Sequence, residues 1–302
     1  MNRPNSDLIA YVVLFVAPAL FTTNVIFGKM LLSVEPFTLA FLRWSLASLI
    51  LVLFCYSDLG RMWQVFRANP TTCLFSGFLG FWVCGGLVYF ALHYTSATNG
   101  TLIYTTPPVL ILTIEAIWRG RAISLREVTG IFLAVIGALA IILRASSENL
   151  FSLEFNTGDL IFVAAAISWA IYSVLLKSSQ FEQLSNLPLL ALFAICGSIL
   201  LFPFALYEVT VFDRFPTTQF QWSVITAIVF LSSLLSFVSF QFGVRVLGAS
   251  IAGVFMYLLP PWGLFFAWFF LGERLELYHY VGTLLIMTGI VVATFPRGLF
   301  KR

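Results

Sequence analysis

The sequence contains very little charge. Only 10% of its 302 residues are Asp, Glu, Lys or Arg, whereas a soluble globular domain carries about 25%. So few charged side chains cannot cover a soluble surface, which excludes a pair of soluble domains despite the length. The mean hydropathy of +0.99 and the 60% of hydrophobic residues instead predict an all-α integral membrane protein.

The sequence is also poor in the residues that build metal sites and hydrolytic centres. It has two histidines and four cysteines, with no CxxC pair, no HExxH motif and no GxSxG motif. We therefore expect no metal, no haem and no other cofactor, and an enzyme is only a distant alternative. Lys and Arg are scattered singly, so we also expect no nucleic-acid partner.

Long apolar runs between short polar connections predict ten transmembrane helices. We place them near 8–33, 37–57, 72–94, 99–118, 127–145, 158–177, 188–208, 222–246, 250–271 and 279–296, with loops such as 58–71 between them. A cytoplasmic N-terminus puts eleven of the sixteen Lys and Arg residues on the inner side. This distribution predicts that both termini lie in the cytoplasm.

The two halves of the chain repeat each other. A shift of 152 residues superposes several Pro and Gly positions, and a shift of 148 superposes the residues before Pro36. The pairs include Pro36 and Pro188, Pro108 and Pro260, Gly130 and Gly282, Gly137 and Gly289, and Asn24 and Tyr172. We divide the chain into a first repeat over 1–146 and a second over 147–302. Five helices in each make the second repeat inverted, and such repeats place a substrate site between them for alternating access.

The sequence resembles the EamA family of the drug/metabolite transporter superfamily. The resemblance is carried by the repeat, by Leu271-Gly272-Glu273 after the ninth span and by the paired G-x6-G patterns at Gly130/Gly137 and Gly282/Gly289. It covers nearly the whole chain and implies a secondary transporter. Characterised members are mostly exporters of amino acids or other metabolites, and one branch exports aromatic amino acids.

Polar and aromatic residues within the spans are the candidates for lining the site, because such groups are costly to bury against lipid. We select Asn24, Tyr89, Tyr104, Trp169, Tyr172, Gln241 and Tyr257. Lys29 and Arg43 are candidate contacts for an anionic group. For Arg43, two structural alternatives stay open, namely snorkelling outward and pairing with Glu35.

Proline and glycine pairs predict the shape of the helices. Pro107, Pro108, Pro260 and Pro261 predict helix bends, either at the cavity or as packing kinks. The four glycines of the G-x6-G patterns predict close helix packing that supports the moving halves.

The absence of an acidic residue at any span centre disfavours proton-coupled export of lipophilic cations. Our prediction is an exporter of small neutral or zwitterionic metabolites, with amino acids first, acting as a monomer in the lipid bilayer. A multidrug carrier and a carrier of nucleotide sugars or sugar phosphates are the alternatives within the superfamily.

Overall fold

The computed structural model describes residues 3–95, 100, 103–120, 122–143, 156–271 and 275–294, and all regular secondary structure within these ranges is helical. The first half contributes six helices, and the fourth of them is α-helical at both ends and π-helical in its centre. They are α1 (Arg3–Met30), α2 (Pro36–Phe54), α3 (Leu59–Ala68), α4 (Pro70–Ala91), α5 (Pro107–Arg119) and α6 (Leu125–Ile142).

The second half contributes five helices to the described part of the chain. They are α7 (Thr157–Leu175), α8 (Asn186–Phe212), α9 (Gln219–Leu247), α10 (Ala249–Val254, continued by Phe255–Leu258 and Leu259–Leu271) and α11 (Leu277–Thr294). Capping boxes begin three of the helices of the bundle, with Ser124 at α6, Asn156 at α7 and Thr218 at α9.

Nine helices in the described residues are long and apolar enough to cross a membrane. They match nine of the ten predicted spans. The remaining span, predicted over 99–118, corresponds to α5, whose 13 residues are shorter than the roughly 20 that a crossing needs. Large apolar side chains such as Leu53, Phe54 and Leu125 are exposed on the outside of the bundle, where lipid would cover them.

A short amphipathic helix, α3, occupies the connection that we expected to be a loop. Met62 and Val65 on one side of this helix are buried, whereas Trp63 is exposed. Arg61 and Arg67 lie on its polar surface. The expectation of a loop over 58–71 was wrong, because the polar residues there follow a helical period and solvate one face.

The two repeats meet along a seam of glycines between α6 and α11. A Cβ atom added at Gly137 would lie 2.5 Å from the carbonyl oxygen of Gly282, and one added at Gly130 would lie 2.6 Å from that of Gly289. The two backbones are therefore in direct contact, which only glycine permits at these positions.

Both repeats also contain a π-helical segment at corresponding places. Phe78–Leu87 forms the centre of α4, and Ile228–Leu235 lies in α9. The shift of 152 that relates the two halves makes these segments overlap. A π-helix that recurs in both repeats is a feature of the fold, and π-helical turns are common at functional sites.

Candidate functional site

A cavity of about 470 Å3 lies between the two halves, and we call it the central cavity. Its walls come from α1, α2, α4 and α6 of the first half, α7, α9 and α10 of the second half, and the residues around the start of α5. Most lining side chains are apolar or aromatic, and polar groups collect on one wall. Such a composition is typical of sites for small molecules.

Four of the predicted cavity residues line the central cavity. They are Asn24, Tyr104, Trp169 and Tyr257. Trp169 packs edge-on against Phe21 and Phe237, with ring centroids 5.6 Å and 5.4 Å away. The central cavity therefore has an aromatic wall built from both repeats.

Arg43 forms the polar wall. Its side chain is 2% exposed, and its Nε donates a hydrogen bond to Ser233 Oγ at 2.6 Å. Its Nη2 donates to the Ser232 carbonyl at 2.9 Å, and its Nη1 donates to Asn24 Oδ1 at 3.0 Å and to the Tyr89 hydroxyl at 3.2 Å. Residues of both repeats thus hold one guanidinium group at the cavity.

No carboxylate forms an ion pair with Arg43 among the residues that the structure describes. The pairing with Glu35 that we left open does not occur, because Glu35 binds Arg214 at 3.0 Å. Instead the guanidinium carbon lies 4.6 Å from the ring centroid of Trp44 and 5.8 Å from that of Phe237. Neutral acceptors and aromatic faces stabilise the cation without cancelling its charge, so the site keeps an attraction for anions.

The π-helical segment of α9 explains how two of these acceptors reach Arg43. A π-turn interrupts the regular i→i−4 pattern of backbone hydrogen bonds, so a carbonyl group such as that of Ser232 can bind a partner outside the helix. Ser232 and Ser233 both lie in this segment and are fully buried. The sequence does not predict these two acceptors, since nothing in the residue pattern indicates a π-turn.

Tyr89 supports the site from behind. It is 5% exposed, and its hydroxyl donates to Asn24 Oδ1 at 2.5 Å while it accepts from Arg43. The Asn24 amide oxygen therefore receives two donors and is fixed in orientation. Tyr89 belongs to the wall that holds Arg43 and does not itself line the central cavity.

Tyr172 and Gln241 do not line the central cavity, contrary to our expectation. Tyr172 is fully buried against Gly80, where an added Cβ would lie 2.9 Å from the ring. Gln241 is 1% exposed, and its Nε2 donates to the Asn186 carbonyl at 2.8 Å, which joins α9 to α8. Packing and an interhelical hydrogen bond accommodate these two side chains instead.

The repeat explains why the second half offers no matching polar wall. Shifts of 148 and 152 carry Asn24 to Tyr172 and Arg43 to Ile195, and Ser232 corresponds to Gly80. An apolar side chain therefore replaces the cation, and the Tyr172 ring covers the glycine that replaces the serine. The two halves therefore repeat the same helices but bring different chemistry to the cavity.

Tyr257 carries an unused hydrogen-bonding group at the central cavity. The residue is 1% exposed, and its hydroxyl has no partner among the described residues. An unpaired buried hydroxyl costs roughly 1–3 kcal/mol, which a bound ligand would recover. Tyr257 thus adds a hydroxyl without a partner in the described residues to those that surround the cavity.

The first proline pair acts differently from the bend that we expected. Pro107 and Pro108 are the first two residues of α5, so they begin a helix and do not kink one. Pro260 and Pro261 lie in the first turn after the 3-10 segment Phe255–Leu258. Pro107 and Pro260 line the central cavity, whereas the side chain of Lys29 lies outside the described residues.

The central cavity ends where α5 packs on the start of α10. Beyond the cavity, Gly253 faces Ile111, where an added Cβ would lie 2.9 Å from Cδ1. Farther along, the buried Glu115 carboxylate accepts hydrogen bonds from the Ser250 amide, at 2.9 Å, and from the Ser250 hydroxyl. We call this pair the Glu115–Ser250 contact. The Arg119 Nε lies 3.9 Å from the Glu115 carboxylate.

Comparisons with known proteins agree with this architecture. The model of the EamA-like transporter family matches residues 8–143 and again residues 156–295. An uncharacterized transporter of Bacillus subtilis, YetK, is 25% identical over 95% of this chain and 87% of its own. An uncharacterized transporter of Archaeoglobus fulgidus is 27% identical over 86% and 88%. One crystal structure has a TM-score of 0.76 and 20% identity, covering 94% of this chain and 96% of that one.

Proposed function

Because this chain belongs to the EamA-like transporter family, we propose that it is a secondary transporter that exports small metabolites carrying a carboxylate, with amino acids as the first class. The family resemblance inferred from the sequence is thereby confirmed, and the chain is a membrane transporter. The substrate, the direction and the alternating-access cycle are our proposal. We further propose that it acts without a cofactor, as a monomer in a bacterial inner membrane with cytoplasmic termini.

One observation carries the substrate class: a buried guanidinium at the central cavity has no carboxylate partner among the described residues. A guanidinium forms its strongest hydrogen bonds with carboxylate or phosphate groups. The same wall lacks Asp and Glu among its described lining residues, which disfavours organic cations as substrates. A substrate carboxylate would complete the ion pair that the protein leaves open.

The rest of the central cavity favours an amino acid over a sugar phosphate. A cavity of about 470 Å3 falls in the range of sites for small molecules. The aromatic wall around Trp169 fits an apolar side chain, and the Tyr257 hydroxyl can bind the amino or carboxylate group. A phosphate would call for several cations, and Arg43 is the only Lys or Arg among the described lining residues.

The proposal is tested by uptake of labelled phenylalanine, leucine and alanine into proteoliposomes that contain the purified protein. Each amino acid is compared with its amide as a competitor, because the amide keeps the size and the amino group but loses the negative charge. We expect the amino acid to compete and the amide to fail. Equal competition by both would contradict a carboxylate contact.

Variants then locate that contact. Arg43→Gln removes a buried charge partner and should lower the apparent affinity roughly thirtyfold or more. Arg43→Lys keeps the charge but loses the planar guanidinium group, which can donate two parallel hydrogen bonds to a carboxylate. It should therefore retain only part of the affinity for the substrate. Arg61→Gln is the matched control, since Arg61 is 71% exposed on α3 and remote from the cavity. A wild-type affinity in Arg43→Gln protein that elutes as a single species would overturn the assignment.

A further inference from the structure

A second cavity lies at the perimeter of the bundle, and we call it the perimeter pocket. It has a volume of about 420 Å3 and shares no lining residue with the central cavity. It lies where α2 begins and where α4 and α8 end. Six aromatic rings contribute to its walls: Phe37, Phe90, Tyr94, Phe204, Tyr207 and Phe212.

Two carboxylates lie among these rings. Glu208 is buried and accepts hydrogen bonds from the backbone amides of Phe37, at 3.1 Å, and Thr38, at 2.7 Å. Glu35 accepts from Arg214 at 3.0 Å. His93 also lines the pocket. With His counted as neutral, two anions and one neighbouring cation leave the perimeter pocket with a formal charge of −1 among the described residues.

The aromatic rings pack against one another around the pocket. Phe37 stacks on Phe204 with centroids 5.2 Å apart, and Phe90 lies 5.1 Å from Tyr94. The faces of aromatic rings carry negative potential, which attracts ammonium groups, and an adjacent carboxylate adds to this attraction. The perimeter pocket therefore has the chemistry of an ammonium site, opposite to that of the central cavity.

The position of the perimeter pocket indicates where its ligand comes from. Tyr207 is 62% exposed and Tyr94 55% exposed on the outer surface of the bundle, beside apolar residues that face lipid. The pocket also lies at the ends of three helices that span the membrane, which is the depth of lipid headgroups. The Arg214 side chain, 61% exposed next to Glu35, supplies a cation at the rim for a phosphate.

We propose that the perimeter pocket binds the headgroup of an amine-bearing phospholipid such as phosphatidylethanolamine. The ammonium group lies among the aromatic rings near Glu35 and Glu208, and the phosphate lies next to Arg214. The charge pattern carries the choice of lipid, because the anionic interior fits the ammonium and the rim cation fits the phosphate. The inference does not depend on what the central cavity transports.

Native mass spectrometry of the purified full chain tests the proposal directly. The protein in detergent is titrated with phosphatidylethanolamine or with phosphatidylglycerol, which has the same phosphate and no amine. We expect bound phosphatidylethanolamine to exceed bound phosphatidylglycerol roughly three- to thirtyfold at equal concentration, the range of a cation–aromatic site. Equal binding of the two lipids would overturn the proposal.

Variants assign the binding to the perimeter pocket. Tyr207→Leu removes an aromatic face but keeps apolar bulk, and Glu35→Gln removes a charge; both should abolish the preference for the amine lipid. Tyr280→Leu is the matched control, because Tyr280 is 60% exposed on α11, outside the perimeter pocket. If Tyr280→Leu loses the preference as much as Tyr207→Leu does, the binding is not at this pocket and the proposal fails.

A third comparison separates a lipid from a water-soluble amine, since both offer an ammonium group. Glycerophosphoethanolamine carries the same headgroup without acyl chains. We expect it to displace the lipid only at much higher concentration, because the chains contribute apolar contact with the bundle. Displacement at the same concentration as the lipid would contradict a lipid site.

Discussion

Replacing Gly137 by alanine would add one methyl group to the seam between α6 and α11. That methyl carbon would lie 2.5 Å from the Gly282 carbonyl oxygen and 2.9 Å from the Ile286 backbone nitrogen. Carbon and oxygen atoms in close contact are normally about 3.3 Å apart or more. Because both neighbours are backbone atoms, no side chain can rotate away and the helices must separate by nearly 1 Å.

The size of the effect follows from two opposing contributions. Overpacking of a tight contact destabilises a protein by about 1–3 kcal/mol. Alanine in place of glycine stabilises a helix by about 1 kcal/mol. Gly60 isolates the second contribution, since it lies in the helix α3 with nothing within 4 Å of an added Cβ. The difference between Gly137→Ala and Gly60→Ala is therefore the cost of the contact.

The assay is thermal unfolding of both variants and the wild type in one detergent, followed by size-exclusion chromatography with fluorescence detection. We expect Gly60→Ala to melt at or slightly above the wild type. Gly137→Ala should melt roughly 5 °C below Gly60→Ala, given a few degrees per kcal/mol. If Gly137→Ala melted as high as Gly60→Ala, the two helices could not be as close as described here.

Three further predictions concern polar contacts. We expect the Glu115–Ser250 contact to close the end of the central cavity that lies next to it, and Glu115→Gln weakens this contact. Labelling of Cys84 in the central cavity by an impermeant thiol reagent, added on the side of that contact, should then rise several-fold. Unchanged labelling would contradict a closing role. Glu208→Gln loses a charged acceptor at the start of α2, so it should lower the free energy of unfolding by about 1–2 kcal/mol and the melting temperature by a few degrees. Thr38→Val keeps the backbone hydrogen bonds and should lower the melting temperature less. Tyr257→Phe removes a buried hydroxyl without a partner in the described residues, so it should raise the melting temperature or leave it unchanged while it raises the KM for the substrate. A lowered melting temperature would indicate a structural role.

The sequence allowed the architecture to be predicted because the fold repeats. Pairs such as Gly137 and Gly289 recur at one offset, and the structure places both on the seam between α6 and α11. The spans followed from apolar runs, which depend only on composition. In contrast, the amphipathic helix α3 was missed because its few polar residues were interpreted as turn residues.

The arrangement of the site was harder to predict, since it depends on contacts between distant residues. The sequence alone did not determine which groups Arg43 contacts. Its acceptors Ser232 and Ser233 lie about 190 positions away in the sequence. Tyr172 and Gln241 satisfied the same criterion as Asn24, namely a polar group inside a span. Only the packing distinguishes a side chain at a cavity from one that is covered by a neighbouring helix.

In the proposed alternating-access cycle, the Glu115–Ser250 contact has a consequence for the relative energies of the two end states. Inverted repeats exchange their shapes during alternating access, so the state that closes the opposite end would bring the corresponding residues together. The shift of 152 pairs Glu115 with Ala267, which has no carboxylate to offer. Hydrogen bonds to a charged group are worth about 1.5–3 kcal/mol each, so one such bond favours its own state roughly ten- to a hundredfold. In that cycle, a carboxylate that one repeat has and the other lacks would shift the resting population of an empty carrier towards the state in which the Glu115–Ser250 contact forms.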